Sequence, residues 1–117
     1  MKVLVVRPME LPAVQEIDHT LSAMQELVGG TIQAVYPFDD PVALIANDEG
    51  KLLGLPWNRA LTDDHGVPYD IVCGTFFVAG LKEDDFASLT EQQIEKYKDK
   101  YNNEMILSVP KQPEAHK

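Results

Sequence analysis

The sequence predicts an α+β fold in which a mixed or antiparallel sheet of about five strands carries two main helices on one face. Three observations predict it. Short segments rich in β-branched residues recur along the chain and end at glycine, proline or aspartate. Two further segments place apolar residues at helical spacing behind a threonine N-cap. A length of 117 residues suits one domain, which we place at residues 1–109, followed by a disordered tail at 110–117.

The strands are predicted from short apolar or alternating runs bounded by turn residues. In chain order they lie at residues 2–6, 13–18, 31–38, 42–46, 51–53, 69–73 and 75–79, with a short edge strand at 105–109. Turn chemistry at 47–50 predicts that the fourth and fifth of these strands form a hairpin. Residues 56–61 are expected to be irregular or to form one helical turn. Gly74 is expected to separate the last two buried strands.

Both helices carry start signals that are specific. Thr20 is the predicted N-cap of the first, and the Gly29-Gly30 pair supplies the positive φ that helix ends favour. The second helix begins at Thr90, with Gln93 at the third helical position completing a capping box. Leu89 and Ile94 flank the cap as a hydrophobic staple, so this helix is the best defined element of the sequence.

Charge and composition exclude several classes of protein. The chain has 19 acidic and 10 basic residues, a net charge of -9. Such a balance disfavours phosphate-dependent nucleic-acid binding and docking on anionic membranes, so we expect neither partner. No apolar run reaches the length of a signal peptide or a membrane span, which predicts a cytoplasmic protein. The single cysteine, Cys73, excludes an internal disulfide and a multi-cysteine zinc site.

Catalytic and cofactor motifs give no prediction of an enzyme. His19, His65 and His116 lack the spacing of metal ligands, so we predict no metal site. Cys73 lies in an apolar strand, where a thiol is usually an inert packing residue. Neither phosphate-binding glycine motif occurs, and no cofactor is predicted. Binding without catalysis is therefore favoured.

One segment concentrates groups that recognise ligands. Trp57 is the only tryptophan and Arg59 is one of two arginines, with Asn58 between them. An indole face, an amide and a guanidinium together suit a nucleotide-like ligand. In the alternative interpretation, Trp57 anchors a loop on the core and Arg59 neutralises nearby acids. Both interpretations are open at this point.

The sequence also resembles a known family, domain of unknown function 3846, over about residues 1–101. The resemblance is carried by residues 1–6, 21–30, 38–45, 47–52, 54–56, 58–61 and 69–77, and its most specific part is the stretch 47–61 together with 74–77. That family occurs in bacteriophages, conjugative elements and their low-GC Gram-positive hosts, which implies a mobile-element setting. Family members often carry a smaller aliphatic residue where Trp57 stands, which marks Trp57 as a feature of this chain.

The resemblance and the residues together predict an accessory protein that counters host defence by binding and sequestering a nucleotide-derived small molecule. Its expected binding residues are Asn47, Trp57, Asn58, Arg59 and Thr75. Homo-oligomerisation is expected, since a protein that retains its ligand benefits from a closed pocket at a subunit interface. One alternative is an acidic DNA mimic or protein-binding antirestriction inhibitor. A further alternative is an enzyme acting on a nucleotide.

Overall fold

The computed structural model describes residues 1–106 and has two helices and two antiparallel sheets. In chain order the elements are β1 (Lys2–Val6), β2 (Ala13–Glu16), α1 (Leu21–Val28), β3 (Ile32–Val35), β4 (Val42–Asn47), β5 (Trp57–Thr62), β6 (Pro68–Cys73), β7 (Phe76–Lys82), β8 (Asp85–Ala87) and α2 (Glu91–Asn103). The main sheet has the order β2-β1-β7-β4-β3, and β8 pairs with β7. β5 and β6 form a separate two-stranded hairpin. The predicted α+β class with an antiparallel sheet is confirmed.

The two helices cover opposite faces of the main sheet. Side chains alternate along β1, so Val3 packs in the cluster with Met24 of α1, and Leu4 packs in the cluster with Ile94 of α2. The expectation that both helices pack on one face is therefore wrong. β1, β4 and β7 are apolar on both faces, and each face needs its own cover. The β5–β6 hairpin adds Leu61 and Val72 to the α2 face.

The predicted helix signals are confirmed. Thr20 accepts a hydrogen bond from the Ala23 N–H at 3.1 Å, and Gly29 ends α1 with φ of 79°. At the start of α2, the Gln93 N–H donates to Thr90 Oγ1 at 3.1 Å, and the Thr90 N–H donates to Gln93 Oε1 at 2.9 Å. These bonds satisfy amides that would otherwise lack a partner in the first turn.

The hairpin predicted over residues 42–53 is wrong. β4 instead pairs with β3 and β7, and the residues at 48–56 form a compact loop of turns. Gly50 fixes this loop against β6, because a Cβ at that position would lie 2.5 Å from the Cys73 carbonyl oxygen. The expectation that residues 56–61 are irregular or form one helical turn is wrong, because residues 57–62 form β5. Gly74 separates β6 from β7 as predicted, with φ of 87°, and the two strands belong to different sheets.

A tight turn joins β7 to β8, a strand that the sequence does not predict. Lys82 pairs with Asp85, so Glu83 and Asp84 are the two turn residues, with φ of 54° and 64°. Such a turn normally contains Asn-Gly, and the absence of that signal is why β8 is not predicted. After α2, Met105 and Ile106 are not in a strand. The rest of the predicted 105–109 strand and the predicted tail lie outside the described residues.

Candidate functional site

A bulge in β5 determines where the predicted ligand residues point. Trp57 pairs with Cys73 and Arg59 with the next residue, Val72, so Asn58 is an extra residue in the ladder. In a regular strand neighbouring side chains point to opposite faces. Here both Asn58 and Arg59 have 0% exposure. The bulge is what allows two successive polar side chains to enter the interior.

Arg59 is bound by main-chain carbonyl groups from separate parts of the chain. Its Nε donates to the Tyr101 carbonyl at 2.9 Å, and its Nη2 donates to the Glu10 carbonyl at 2.8 Å. Tyr101 lies in the last turn of α2, where carbonyls lack helical partners and the helix dipole is negative. Arg59 therefore caps the end of α2 and ties it to the loop between β1 and β2.

Asn58 completes this network. Its Oδ1 accepts from Arg59 Nη1 at 2.8 Å, and its Nδ2 donates to the carbonyls of Val6 and Gly74, both at 2.8 Å. These bonds join the hairpin to the end of β1 and to the β6–β7 connection. Every donor and acceptor named here is occupied by protein.

The interior position gives Asn58 and Arg59 a structural task in this conformation. The hydrogen-bond partners of Arg59 are carbonyl and amide oxygens, and Glu104 is an acid close enough to interact with its charge. Burial lowers the pKa of Arg59, while interactions with Tyr101 and Glu104 act in the opposite direction. A guanidinium keeps its charge under such conditions because its pKa is so high. The anion clamp expected from the sequence is thus not presented to solvent.

A cleft of about 490 Å³ lies on the α2 face between the main sheet and the hairpin. It opens beside the partly buried Val35 of β3 and Ala46 of β4. The floor of the cleft is apolar and consists of Val35, Leu44, Ala46, Leu61 and Val72. Its volume is within the range of small-molecule sites in proteins. We call this space the β4–β6 cleft.

The rim of the β4–β6 cleft is polar and predominantly acidic. It carries Gln33 from β3, Asp48, Glu49 and Lys51 from the loop after β4, and Asp70 from β6. Lys51 Nζ donates to Asp70 Oδ1 across the rim, and this bond raises the pKa of Lys51. The bonds from Lys51 and from the Ile71 N–H lower the pKa of Asp70. Both groups are charged near neutral pH, and the rim has an excess of negative charge.

The cysteine and the lysine of the cleft are not activated as nucleophiles. Burial raises the pKa of the Cys73 thiol, which keeps it protonated and a poor nucleophile. The raised pKa of Lys51 likewise keeps its amine protonated and unable to attack a carbonyl. The arrangement suits hydrogen bonding and apolar contact with a bound molecule.

The structure separates the remaining predicted site residues. Asn47 lines the β4–β6 cleft, but its amide donates to the Val28 carbonyl at 3.2 Å and accepts from the Glu49 N–H at 2.8 Å. Trp57 lines a second groove, on the outward side of the hairpin. Thr75 is half-buried between β6 and β7 and lines neither cavity. The five predicted residues therefore do not converge on one site.

None of the rim residues was among the predicted binding residues, including the ion-paired Lys51 and Asp70. These two are 19 positions apart and meet only because the loop at 48–56 folds back on β6. One signal was present in the sequence. Lys51 is one of only five basic residues among the first 95, so in such an acidic segment it is expected to pair with a carboxylate.

Metal clusters and membrane-spanning helices are both absent from residues 1–106. No group of three or more histidine, cysteine, aspartate or glutamate side chains in this range is arranged to hold a metal ion. In the same range, neither helix has the length and apolar character needed to cross a membrane.

Residues 1–102 match the sequence model of one protein family, described as Domain of unknown function (DUF3846). The chain belongs to this family. No curated protein and no solved structure matches it. The DUF3846 match includes all ten elements except the end of α2, and so it contains the β5 bulge and the β4–β6 cleft.

Proposed function

We propose that this DUF3846 protein binds and sequesters a nucleotide-derived small molecule in the β4–β6 cleft, without converting it, as an accessory protein of phages or other mobile elements. The observation that carries the proposal is the cleft itself, with its apolar floor, polar rim and volume of about 490 Å³. Lys51 and Cys73, the cleft residues whose protonation states disfavour nucleophilic attack, support binding without catalysis.

The charge of the rim favours recognition through the nucleoside part of the ligand. A flat base suits the apolar floor, and the side chains of Gln33, Asp48 and Glu49 offer hydrogen bonds to exocyclic amines and ribose hydroxyls. Lys51 is the ammonium on this rim that a phosphate can approach. This assignment transfers the binding role from the buried Asn58–Arg59 pair to the cleft.

Thermal unfolding of the full chain with a panel of probes tests the proposal. The panel contains adenosine, guanosine, ADP-ribose and cyclic dinucleotides. A ligand at a hundred times its Kd is expected to raise the Tm by roughly 10 °C, because it stabilises only the folded state. Chromatography of the probe after protein removal must show it unchanged. A converted probe would instead support the enzyme alternative.

A variant that fills the cleft makes the test specific. Gln33 is exposed on β3 at the rim, so Gln33→Trp is expected to abolish the Tm rise while the protein still folds. Gln92→Trp places the same side chain on the exposed surface of α2 and should keep the rise. If no probe changes the Tm of the unmodified protein, the ligand proposal fails and the acidic inhibitor becomes the better explanation.

Homo-oligomerisation is the second part of the proposal. The rim is open to solvent, and Leu52 beside it is 85% exposed, so a second copy seated here would both cover Leu52 and enclose the ligand. Light scattering after size-exclusion chromatography, with and without a bound probe, measures the mass. A monomer under both conditions would contradict this part.

A further inference from the structure

The outward side of the β5–β6 hairpin holds a groove that adjoins the β4–β6 cleft. The groove also has a volume of about 490 Å³. Lys51, Asp70, Ile71 and Cys73 line both spaces, so these residues form the wall between them. We call the second space the hairpin groove.

Two aromatic side chains distinguish the hairpin groove from the cleft. Trp57 is half-buried at one end of the hairpin, and Tyr69 is 62% exposed on β6. Exposed aromatic faces bind nucleobases by stacking, and the contact accepts any base. Pro68 and Ile71 add apolar surface to the same groove. A flat ring fits this lining better than a charged group does.

Lys51 lies where the two spaces meet. It is the basic residue that lines both of them, and its exposed ammonium is held by Asp70. An anionic group of a ligand can take the place of Asp70, since an ion pair at an exposed position contributes little stability. The junction therefore offers a single positive charge between two spaces that each suit a ring.

We propose that the ligand has two nucleoside parts joined through an internal phosphate, with one part in the β4–β6 cleft, the phosphate on Lys51 and the second base on Trp57 and Tyr69. This inference rests on the proposed function and adds the ligand class and a second binding subsite. A molecule with a single nucleoside fills only one of the two spaces.

The surrounding acids define which phosphates are accepted. Asp48, Glu49 and Asp70 all lie on the cleft rim with Lys51. An internal phosphodiester carries one negative charge, whereas a terminal phosphate carries nearly two. One ammonium among three carboxylates leaves the rim net negative, so the single charge of a phosphodiester is repelled less than the several charges of a triphosphate. Linked dinucleosides are therefore expected to bind better than nucleoside triphosphates.

Isothermal titration of the full chain with three probes tests the ligand class. The probes are adenosine, the 3′,5′-linked dinucleoside monophosphate ApA, and ATP. The affinity for ApA should be higher than that for adenosine by a factor of about ten or more, because a second base is stacked. ATP should bind more weakly than ApA. Equal affinities for adenosine and ApA would overturn the two-part site and leave the single cleft standing. Binding of none of the probes would overturn both proposals.

Variants in the wall and groove give effects of opposite sign. Tyr69→Ala should reduce ApA affinity about tenfold and leave adenosine affinity unchanged. Tyr36→Ala is the matched control, since Tyr36 is 61% exposed and lines neither space. Lys51→Gln should weaken ApA binding, whereas Asp70→Asn should strengthen it by releasing Lys51.

Two results would contradict the role of the junction. If Lys51→Gln and Asp70→Asn shift ApA affinity in the same direction, the phosphate does not replace Asp70 as the partner of Lys51. The ion pair then only supports the fold. If Tyr36→Ala lowers ApA affinity as much as Tyr69→Ala, the second base is not in the hairpin groove. Circular dichroism of each variant confirms that the differences do not arise from unfolding.

Discussion

The two faces of the main sheet are covered in different ways. On one face α1 seals the sheet with apolar contacts from Met24 and Val28. The other face is shared by α2 and the β5–β6 hairpin, and buried polar groups at Asn58 and Arg59 hold them together. Only the shared face has the β4–β6 cleft. The cleft lies between the main sheet and the hairpin, and the hydrogen bonds of Asn58 fix the position of the hairpin that forms one of its walls.

Buried polar side chains occur on both faces, but they have different roles: Asn47 bonds to the Val28 carbonyl at the end of α1, whereas Asn58 and Arg59 place the hairpin on the shared face. Apolar packing gives stability but little directional control over how a hairpin is placed. Arg59 and Asn58 specify one position of the hairpin through bonds to Tyr101, Val6 and Gly74. Polar networks of this kind are stable only when every group has a partner. Three changes test the comparison, in decreasing order of expected effect.

Arg59→Ala is expected to have the largest effect. It leaves the Tyr101 and Glu10 carbonyls without their donor and creates a cavity, so the free energy of unfolding should fall by about 3–5 kcal/mol. Urea unfolding followed by tryptophan fluorescence measures the loss. Arg7→Ala is the matched control, because Arg7 makes a single long bond of 3.5 Å to Gln15. A stable Arg59→Ala protein that no longer binds ligand would instead make Arg59 a ligand residue.

Met24→Ala tests the sealed face and should have a smaller effect. Met24 is buried in the α1 cluster, and its truncation is expected to lower the free energy of unfolding by about 2–3 kcal/mol. The cleft lies on the opposite face, so probe affinities should not change. Glu26→Ala, at an exposed position of the same helix, is the control for helix effects. Altered probe binding in Met24→Ala would mean that the two faces are coupled.

The smallest effect is expected from Asp40→Asn. The hydrogen bonds of Asp40 connect α2 to the segment before β4, and they are sensitive to acid. Lys96 Nζ and the Tyr97 hydroxyl each donate to Asp40 Oδ2 at 2.7 Å, and these bonds lower the pKa of Asp40 below its usual 3.8. A lowered pKa means that the stabilisation is present above the usual pKa and lost as the pH falls through the lowered one. As the pH falls from about 5 to about 2, Asp40→Asn should therefore lose less stability than the unmodified protein does.

Denaturant unfolding over that pH range measures the difference. Asp39→Asn separates the removal of one negative charge from the loss of the two hydrogen bonds. An acid dependence of Asp40→Asn identical to that of the unmodified protein would show that these bonds do not stabilise the shared face.

Local chemistry made part of this fold predictable from sequence. Thr20, Gly29 and Thr90 act on backbone groups within four residues of themselves, so the helices were predicted correctly. The bulge at Asn58 and the pairing of β4 with β7 depend on residues far away in the chain. Those features carry no local signal, and the hairpin predicted at 42–53 followed turn chemistry that tertiary packing overrides.

For the candidate site, the sequence could predict which residue types are unusual but not where their side chains lie. The rarity of basic residues drew attention to Arg59, but rarity does not distinguish a buried arginine from an exposed one. The partners of Arg59 are main-chain carbonyls, which every residue has and which no sequence pattern marks. Lys51 and Asp70 meet through a loop whose course is fixed by the contact of Gly50 with Cys73. Such contacts follow from the three-dimensional path of the chain.

The order of strands in the main sheet has a consequence for synthesis in the cell. β1 leaves the ribosome first, yet its central partner β7 begins at Phe76, and β4 also pairs with β7. At about 5–20 residues per second, several seconds pass before β7 emerges. Until then β1 can pair only with β2, and an isolated two-stranded hairpin is marginally stable. The nascent chain thus exposes its most apolar strands, and chaperone binding during that interval is the expected protection.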